Sequence, residues 1–165
     1  MTGNIFLRLS EFNSPPYFRY KVYLCGVARV LAIDYGTKRT GIAVTDPLKL
    51  IASPLETVST ATLLDFLGAY LTDESVEAIV VGEPLHADGN PTQIHHLVVG
   101  LVRKLRKTYP EITVELHDES FTSEDAKKVI LQSGTRKKKR RDKSLVDKVS
   151  AALILSDYLE SKRLW

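Results

Sequence analysis

Residues 30 to 45 read Val30-Leu31-Ala32-Ile33-Asp34-Tyr35-Gly36-Thr37-Lys38-Arg39-Thr40-Gly41-Ile42-Ala43-Val44-Thr45. An apolar run ending in a carboxylate, a tight glycine-containing turn with two cations, and a second apolar run predict a β-hairpin over about 29–45. Such a hairpin holds Asp34 at a strand end, beside open backbone. A carboxylate there is desolvated on its strand side and needs a partner, and a divalent cation is a partner that also does chemistry. Asp is equally a common opener of turns, so Asp34 taken alone admits both readings.

Downstream, Leu50 to Val58 is a third strand candidate, which Pro54 assigns to a sheet edge because proline has no ladder donor. Residues 61–73 place Leu63, Leu64, Phe66, Leu67, Tyr70 and Leu71 at helical spacing. Val76 to Gly82 is a short apolar run of the kind a buried parallel strand shows. Glu83 to Pro91 carries every turn signal of a loop. Ile94, Leu97, Val98, Leu101, Val102 and Leu105 share one face of a helix predicted over 92–107, with Pro110 at its exit. Ile112 to His117 alternates as a strand and runs into Asp118-Glu119. Thr122 and Ser123 suit the start of a helix over 123–132 that stops at Gly134. The last helix is predicted over 145–160, with Ser144 as its N-cap candidate. Strands alternating with helices after an antiparallel start predict an α/β domain with a mixed sheet.

Upstream, residues 1–28 mix Phe6, Phe12, Tyr17, Phe18, Tyr20 and Tyr23 with a Pro15-Pro16 break and sustain no periodicity. They read as an appended arm to a single domain over 29–165, without the ordered basic and apolar regions of a secretory signal. A chain of 165 residues has room for one ordinary domain. Hydrophobic residues make up 44% and charged residues 26%, the balance of a soluble globular protein. The single cysteine, Cys25, rules out an internal disulfide and fits a reducing, cytoplasmic setting. No apolar run approaches the roughly 20 residues of a membrane span.

The net charge of +3 is unevenly placed: Arg136-Lys137-Lys138-Lys139-Arg140-Arg141-Asp142-Lys143 carries +6, so the rest of the chain carries −3. A run this dense repels itself, stays extended and seeks phosphates, or else remains a solvated loop.

Three carboxylates occupy comparable positions. Asp34 ends the first strand, Glu119 follows the strand ending near His117, and Asp147 falls in the first turn of the last helix. Ligand sites of parallel sheets gather at the carboxyl ends of strands, so the first two can converge. Asp147 shares a helix face with Ala151, Ile154 and Tyr158, which should pack on the sheet and aim it at the same edge. Each acid has a plainer reading: Asp147 as a partner of the helix dipole, Glu119 as a cap of the following helix. Together they would repel and raise one another's pKa unless they share a cation.

With these residues assembled, the chain resembles the family of RNase H-like Holliday-junction-resolvase homologues named as pre-16S ribosomal RNA nucleases. The resemblance covers about residues 29–160. It rests on Ala32-Ile33-Asp34-Tyr35-Gly36-Thr37-Lys38-Arg39-Thr40-Gly41; on Val80-Val81-Gly82 with Pro84 and Asp88-Gly89; on Asp118-Glu119 with Phe121-Thr122-Ser123; and on Asp147 with Ala151-Ala152 and Ile154-Leu155. It implies an RNase H-like fold with a five-stranded mixed sheet flanked by helices, and metal-binding, catalytic acids at Asp34, Glu119 and Asp147. Two departures stand out: Ser120 where the family commonly has Arg, removing a phosphate or carboxylate clamp, and Glu83 in place of an aliphatic residue, an anion that could join the metal cluster or weaken phosphate binding.

The expected chemistry is metal-assisted phosphodiester hydrolysis in maturation of the 5′ end of pre-16S ribosomal RNA. Two Mg²⁺ or Mn²⁺ ions about 4 Å apart would bridge the acids, one activating water and the other stabilising the leaving oxygen. Lys38 and Arg39 steady a phosphate or form a solvated tip, and Arg136, Lys137, Lys138, Lys139, Arg140, Arg141 and Lys143 grip the backbone. Structured RNA is the favoured partner, branched DNA the alternative, and the protein is a monomer or a homodimer. A non-catalytic nucleic-acid module is a rival reading. So is an ATP-binding phosphotransferase of the actin and sugar-kinase type, whose first phosphate loop Asp34 to Thr37 also resembles, although one domain supplies only half of such a site. His86, His95, His96 and His117 make no metal set and read as ordinary surface histidines; His95 and His96, adjacent on a helix, point about 100° apart and cannot both face one ion.

Overall fold

A computed structural model of the protein describes residues 28–86, 88–118, 123–134 and 142–163. Its elements are β1 (Arg29–Tyr35), β2 (Arg39–Thr45), β3 (Ala52–Ser59), a 3₁₀ turn (Thr60–Thr62), α1 (Leu63–Asp73), β4 (Val76–Glu83), α2 (His95–Thr108), β5 (Thr113–Asp118), α3 (Ser123–Gln132) and α4 (Lys143–Arg163). The five strands form one sheet in the order β3-β2-β1-β4-β5. β1 pairs antiparallel with β2, and β2 with β3, while β4 runs parallel to both β1 and β5. This is the mixed sheet expected, with the antiparallel hairpin at one side and the parallel strands at the other. No described helix is long and apolar enough to cross a membrane.

Alternation along the strands divides the core. Leu31, Ile33, Ile42, Val44, Ile79 and Val81 face α1 and α2 through Leu63, Leu67, Val98, Val102 and Leu105. Val30, Ala32, Ala43, Ala78 and Val80 face α4 through Ala151, Ile154, Leu155 and Tyr158. The second face is built from small residues, so α4 lies close to the sheet. Asp34 continues the period of Val30 and Ala32 and belongs to that face.

Pro54 lies on β3, an edge strand as predicted, and the register slips beside it: Ile42 faces Glu56 whereas Ala43 faces Pro54. Leu55 is the extra residue of a bulge that accommodates the missing proline donor. Gly134 has φ +72°, the left-handed conformation glycine adopts after a helix end. The helix predicted from 92 begins only at His95. Thr92 is instead tied to the preceding loop, its N–H donating to Pro84 O at 3.1 Å.

α4 departs from expectation at its start. It begins at Lys143, and Asp142 rather than Ser144 caps it, Oδ1 accepting the Ser144 N–H at 2.9 Å. Asp142 is as good a capping residue as Ser144 and stands two positions earlier. Asp147 therefore lies two residues further in than predicted, outside the first turn and beyond the reach of the dipole, and that reading of it falls.

Candidate active site at the carboxyl edge of the sheet

The start of α4 crosses the hairpin beside the carboxyl end of β1, and further along the helix Ile154 lies over Gly82 at the carboxyl end of β4. Asp34 on β1 is paired with Gly41 on β2, and Gly41 with Thr57 on β3, so the three form one row across the sheet. α4 crosses this row through its backbone. A Cβ placed on Gly41 would meet the carbonyl oxygen of Asp147 at 2.0 Å. Thr57 Oγ1 donates to the Ser144 carbonyl at 2.6 Å, tying the first turn of α4 to the edge strand. Only a glycine across from Asp34 lets the helix settle low enough to put Asp147 beside it.

The turn that precedes β2 is clasped from the side. Thr60 Oγ1 donates to Gly36 O at 2.6 Å, its N–H donates to Lys38 O at 3.1 Å, and Thr40 Oγ1 lies 2.9 Å from Thr60 Oγ1. This fixes the backbone from which Asp34 and Arg39 project.

Asp34 is part-buried, and its carboxyl is pushed up to about 7, first by burial and then by the negative charge of Asp147. Among the described residues it has no hydrogen-bond partner. Asp147 is satisfied differently: Arg39 Nε donates to its Oδ2 at 2.7 Å. Asp147, predicted to aim at the same edge as Asp34, does lie beside it, whereas the predicted convergence of Asp34 with Glu119 falls outside the described residues. Each acid faces the lack of positive charge in its own way, Asp34 by a raised pKa and Asp147 by taking a guanidinium. Their oxygen-only donor set fits a hard divalent cation such as Mg²⁺ or Mn²⁺. Among the described residues no third Asp, Glu, His or Cys joins them. Glu119 lies outside the described residues, as do Arg136, Lys137, Lys138, Lys139, Arg140 and Arg141.

Lys38 is exposed in the turn, while Arg39 is the first residue of β2 and is engaged with Asp147 rather than being a solvated tip. Lys143 is exposed at the start of α4. Glu83 does not approach the acids. It shares the face of Ile79 and Val81, and its Oε1 lies 2.7 Å from His95 Nε2 at the start of α2. His117 Nε2 lies 2.7 Å from Asp157 Oδ2 on α4, with its ring edge-on to Tyr158. His95 and His117 are thus each bound to a carboxylate, whereas His86 and His96 are exposed as expected.

Sequence reasoning missed Gly41, Thr57 and Asp142. A lone glycine inside an apolar strand signals close backbone approach, so Gly41 was legible in principle. Thr57 carries no such signal.

The chain matches the model of the RuvX family, described as Holliday junction resolvase, over residues 28–161. It is 47% identical over 135 residues to a protein of Flavobacterium johnsoniae named "Putative pre-16S rRNA nuclease", covering 82% of this chain and 98% of that one. A protein of the same name from Christiangramia forsetii is 49% identical over 133 residues, covering 81% and 98%. Among solved structures, that of Thermus thermophilus RuvC is similar at a TM-score of 0.49 and 20% identity, covering 81% of this chain and 96% of that one.

Proposed function

The chain belongs to the RuvX family of Holliday-junction-resolvase-type nucleases, and from that membership we infer that it is a hydrolase of phosphodiester bonds acting on pre-16S ribosomal RNA. We assign the trimming to the 5′ end of the precursor, in the cytoplasm, where such precursors are met. The observation that carries the site assignment is the pairing of Asp34 with Asp147 across Gly41, with Asp34 raised by burial and by its neighbour's charge.

Asp34 and Asp147, with Glu119 from the segment after β5, would hold Mg²⁺ or Mn²⁺. When bound, the cations activate water for in-line attack and stabilise the leaving oxygen. The chain's own residues do the rest. β1 holds Asp34 where burial disfavours its charge until a cation arrives, and the half-buried first turns of α4 hold Asp147 beside it with Arg39 as its partner in the meantime. Arg39, held at Asp147, is placed to move onto a phosphate oxygen of the substrate once Asp147 is otherwise neutralised, and exposed Lys38 stands beside it. The cationic run from Arg136 to Lys143 supplies non-specific grip on the backbone, with the steep salt dependence that implies.

A four-way DNA junction is the second reading, favoured by the family's description; cutting it symmetrically would require two copies of the chain. Cleavage of end-labelled structured RNA and of four-way junctions at low salt, with Mg²⁺, Mn²⁺ or EDTA, decides between them. The expected result is metal-dependent cutting of the RNA. Cutting of the junction alone would transfer the assignment to DNA, and binding without cutting of either would leave a non-catalytic module.

A further inference from the structure

α2 is unusual among the surface elements in the sign of its charge. Its sequence, His95-His96-Leu97-Val98-Val99-Gly100-Leu101-Val102-Arg103-Lys104-Leu105-Arg106-Lys107-Thr108, contains no acid and four cations. An exposed helix face ordinarily mixes both signs, because i,i+4 pairs stabilise it and a single sign repels. Together α2 and the 136–143 run carry +10, so the rest of the chain carries −7.

The fold engages one of the four cations and leaves three. Arg106 reaches back to β5, donating through Nε and Nη2 to the Val114 carbonyl at 3.0 and 2.7 Å. Arg103, Lys104 and Lys107 are exposed, and among the described residues none has an ion-pair partner. Val98, Val102 and Leu105 bury the opposite face. His96, Gly100, Arg103 and Lys107, spaced four, three and four apart, therefore form one outward stripe, with Lys104 on its flank. A Cβ at Gly100 would meet nothing within 4 Å, so the middle of the stripe is open for close approach.

The stripe is also connected to the catalytic edge. α2 starts where β4 ends, with His95 bound to Glu83, and His96 begins the stripe at that same end of the sheet. From there it runs about 16 Å away, eleven residues at the helical rise. We propose that this face of α2 is a second phosphate-binding surface, along which the backbone of a duplex arm of the nucleic-acid substrate lies as it leaves the carboxyl edge. The proposal rests on the nuclease reading above and adds to it the requirement for a substrate long enough to occupy both the edge and the helix. The three cations project from one rigid helix and so present a fixed line of charge, which suits the regular backbone of a helical arm better than a loose, extended single strand.

The test is the triple variant Arg103→Gln/Lys104→Gln/Lys107→Gln. Binding of a fluorescein-labelled RNA hairpin with a long stem is measured by anisotropy in EDTA between 50 and 300 mM salt, and cleavage kinetics are measured separately with Mn²⁺. Three lost phosphate contacts on a duplex stem should flatten the slope of log Kd against log salt by about 2.7 and weaken binding roughly tenfold at moderate salt. KM should rise with kcat at saturation within about twofold, and the melting temperature should hold. A hairpin too short to reach α2 should show no difference between variant and wild type. An unchanged slope and KM for the long stem would overturn the proposal, as would a lowered melting temperature with binding intact, which would make the cations mere partners of the helix dipole. Loss of binding to anionic vesicles with RNA binding unchanged would overturn it in favour of a lipid surface. If instead wild type neither bound nor cut nucleic acid, the nuclease reading itself would be what failed.

Discussion

Arg39 Nε sits 2.7 Å from Asp147 Oδ2, joining the first residue of β2 to α4 directly over the row that contains Asp34. With side chains 43% and 24% exposed, the pair contributes little to stability. Its consequence is electrostatic: a guanidinium holds one of the two carboxylates that a cation would need.

Replacing Arg39 with Gln should therefore leave the melting temperature nearly unchanged and tighten Mn²⁺ binding severalfold in a calorimetric titration, because no side chain has to be displaced. The same variant should cleave more slowly, having lost a phosphate partner. Weaker Mn²⁺ binding in the variant would mean that Arg39 helps to shape the metal site instead of competing for it.

The raised pKa of Asp34, about 7 against an ordinary 3.8, sets the pH dependence of the metal-free protein. The folded state holds a proton that the unfolded state has released across this interval. Stability conferred by the protonated carboxyl is thus full below about pH 4 and is lost as pH rises towards 7. Urea melts in EDTA should show wild type falling by up to a few kcal/mol across that window, and Asp34→Asn should fall much less. Mn²⁺ affinity runs the other way, weakening as pH drops below about 7, since the cation binds the deprotonated acid.

Gly41→Ala should be far more damaging than Gly82→Ala. The added methyl at Gly41 meets backbone of α4 at 2.0 Å, whereas at Gly82 it meets only the Ile154 Cδ1 at 2.7 Å, the end of a flexible side chain. The first change must lift α4 from the sheet, at a cost of about 3 kcal/mol or more; the second can be absorbed for about 1–2 kcal/mol. Denaturant melts give both values, and equal effects would refute the close approach of α4 at Gly41.

Thr57→Val removes the hydroxyl that holds the Ser144 carbonyl at 2.6 Å. About 1 kcal/mol of stability should be lost, and kcat should fall by more than that loss explains, because the start of α4 positions Asp147. A kcat unchanged within error would confine Thr57 to a stabilising role.

Much of this was readable from the chain. The apolar runs ending at Asp34 and Gly82 announced parallel neighbours with a shared carboxyl edge, and Pro54 correctly marked β3 as an edge. The helix face of Asp147, Ala151, Ile154 and Tyr158 did lie on the sheet, since that spacing follows from helical geometry alone. What escaped were contacts between distant segments. Local spacing cannot say that Arg39 finds Asp147, 108 residues away, or that Glu83 turns to His95 because strand alternation puts it on the α2 face. The cap at Asp142 was missed because two neighbouring residues were equally good caps, and that shift moved Asp147 out of the first turn.

The central claim, that Asp34 and Asp147 share a divalent cation, is tested most directly by titrating Mn²⁺ into wild type, Asp34→Asn and Asp147→Asn in the absence of nucleic acid, and following bound metal by electron paramagnetic resonance at pH 8. The account predicts saturable binding to wild type and at least tenfold weaker binding to each variant. Binding of equal strength to all three would contradict it.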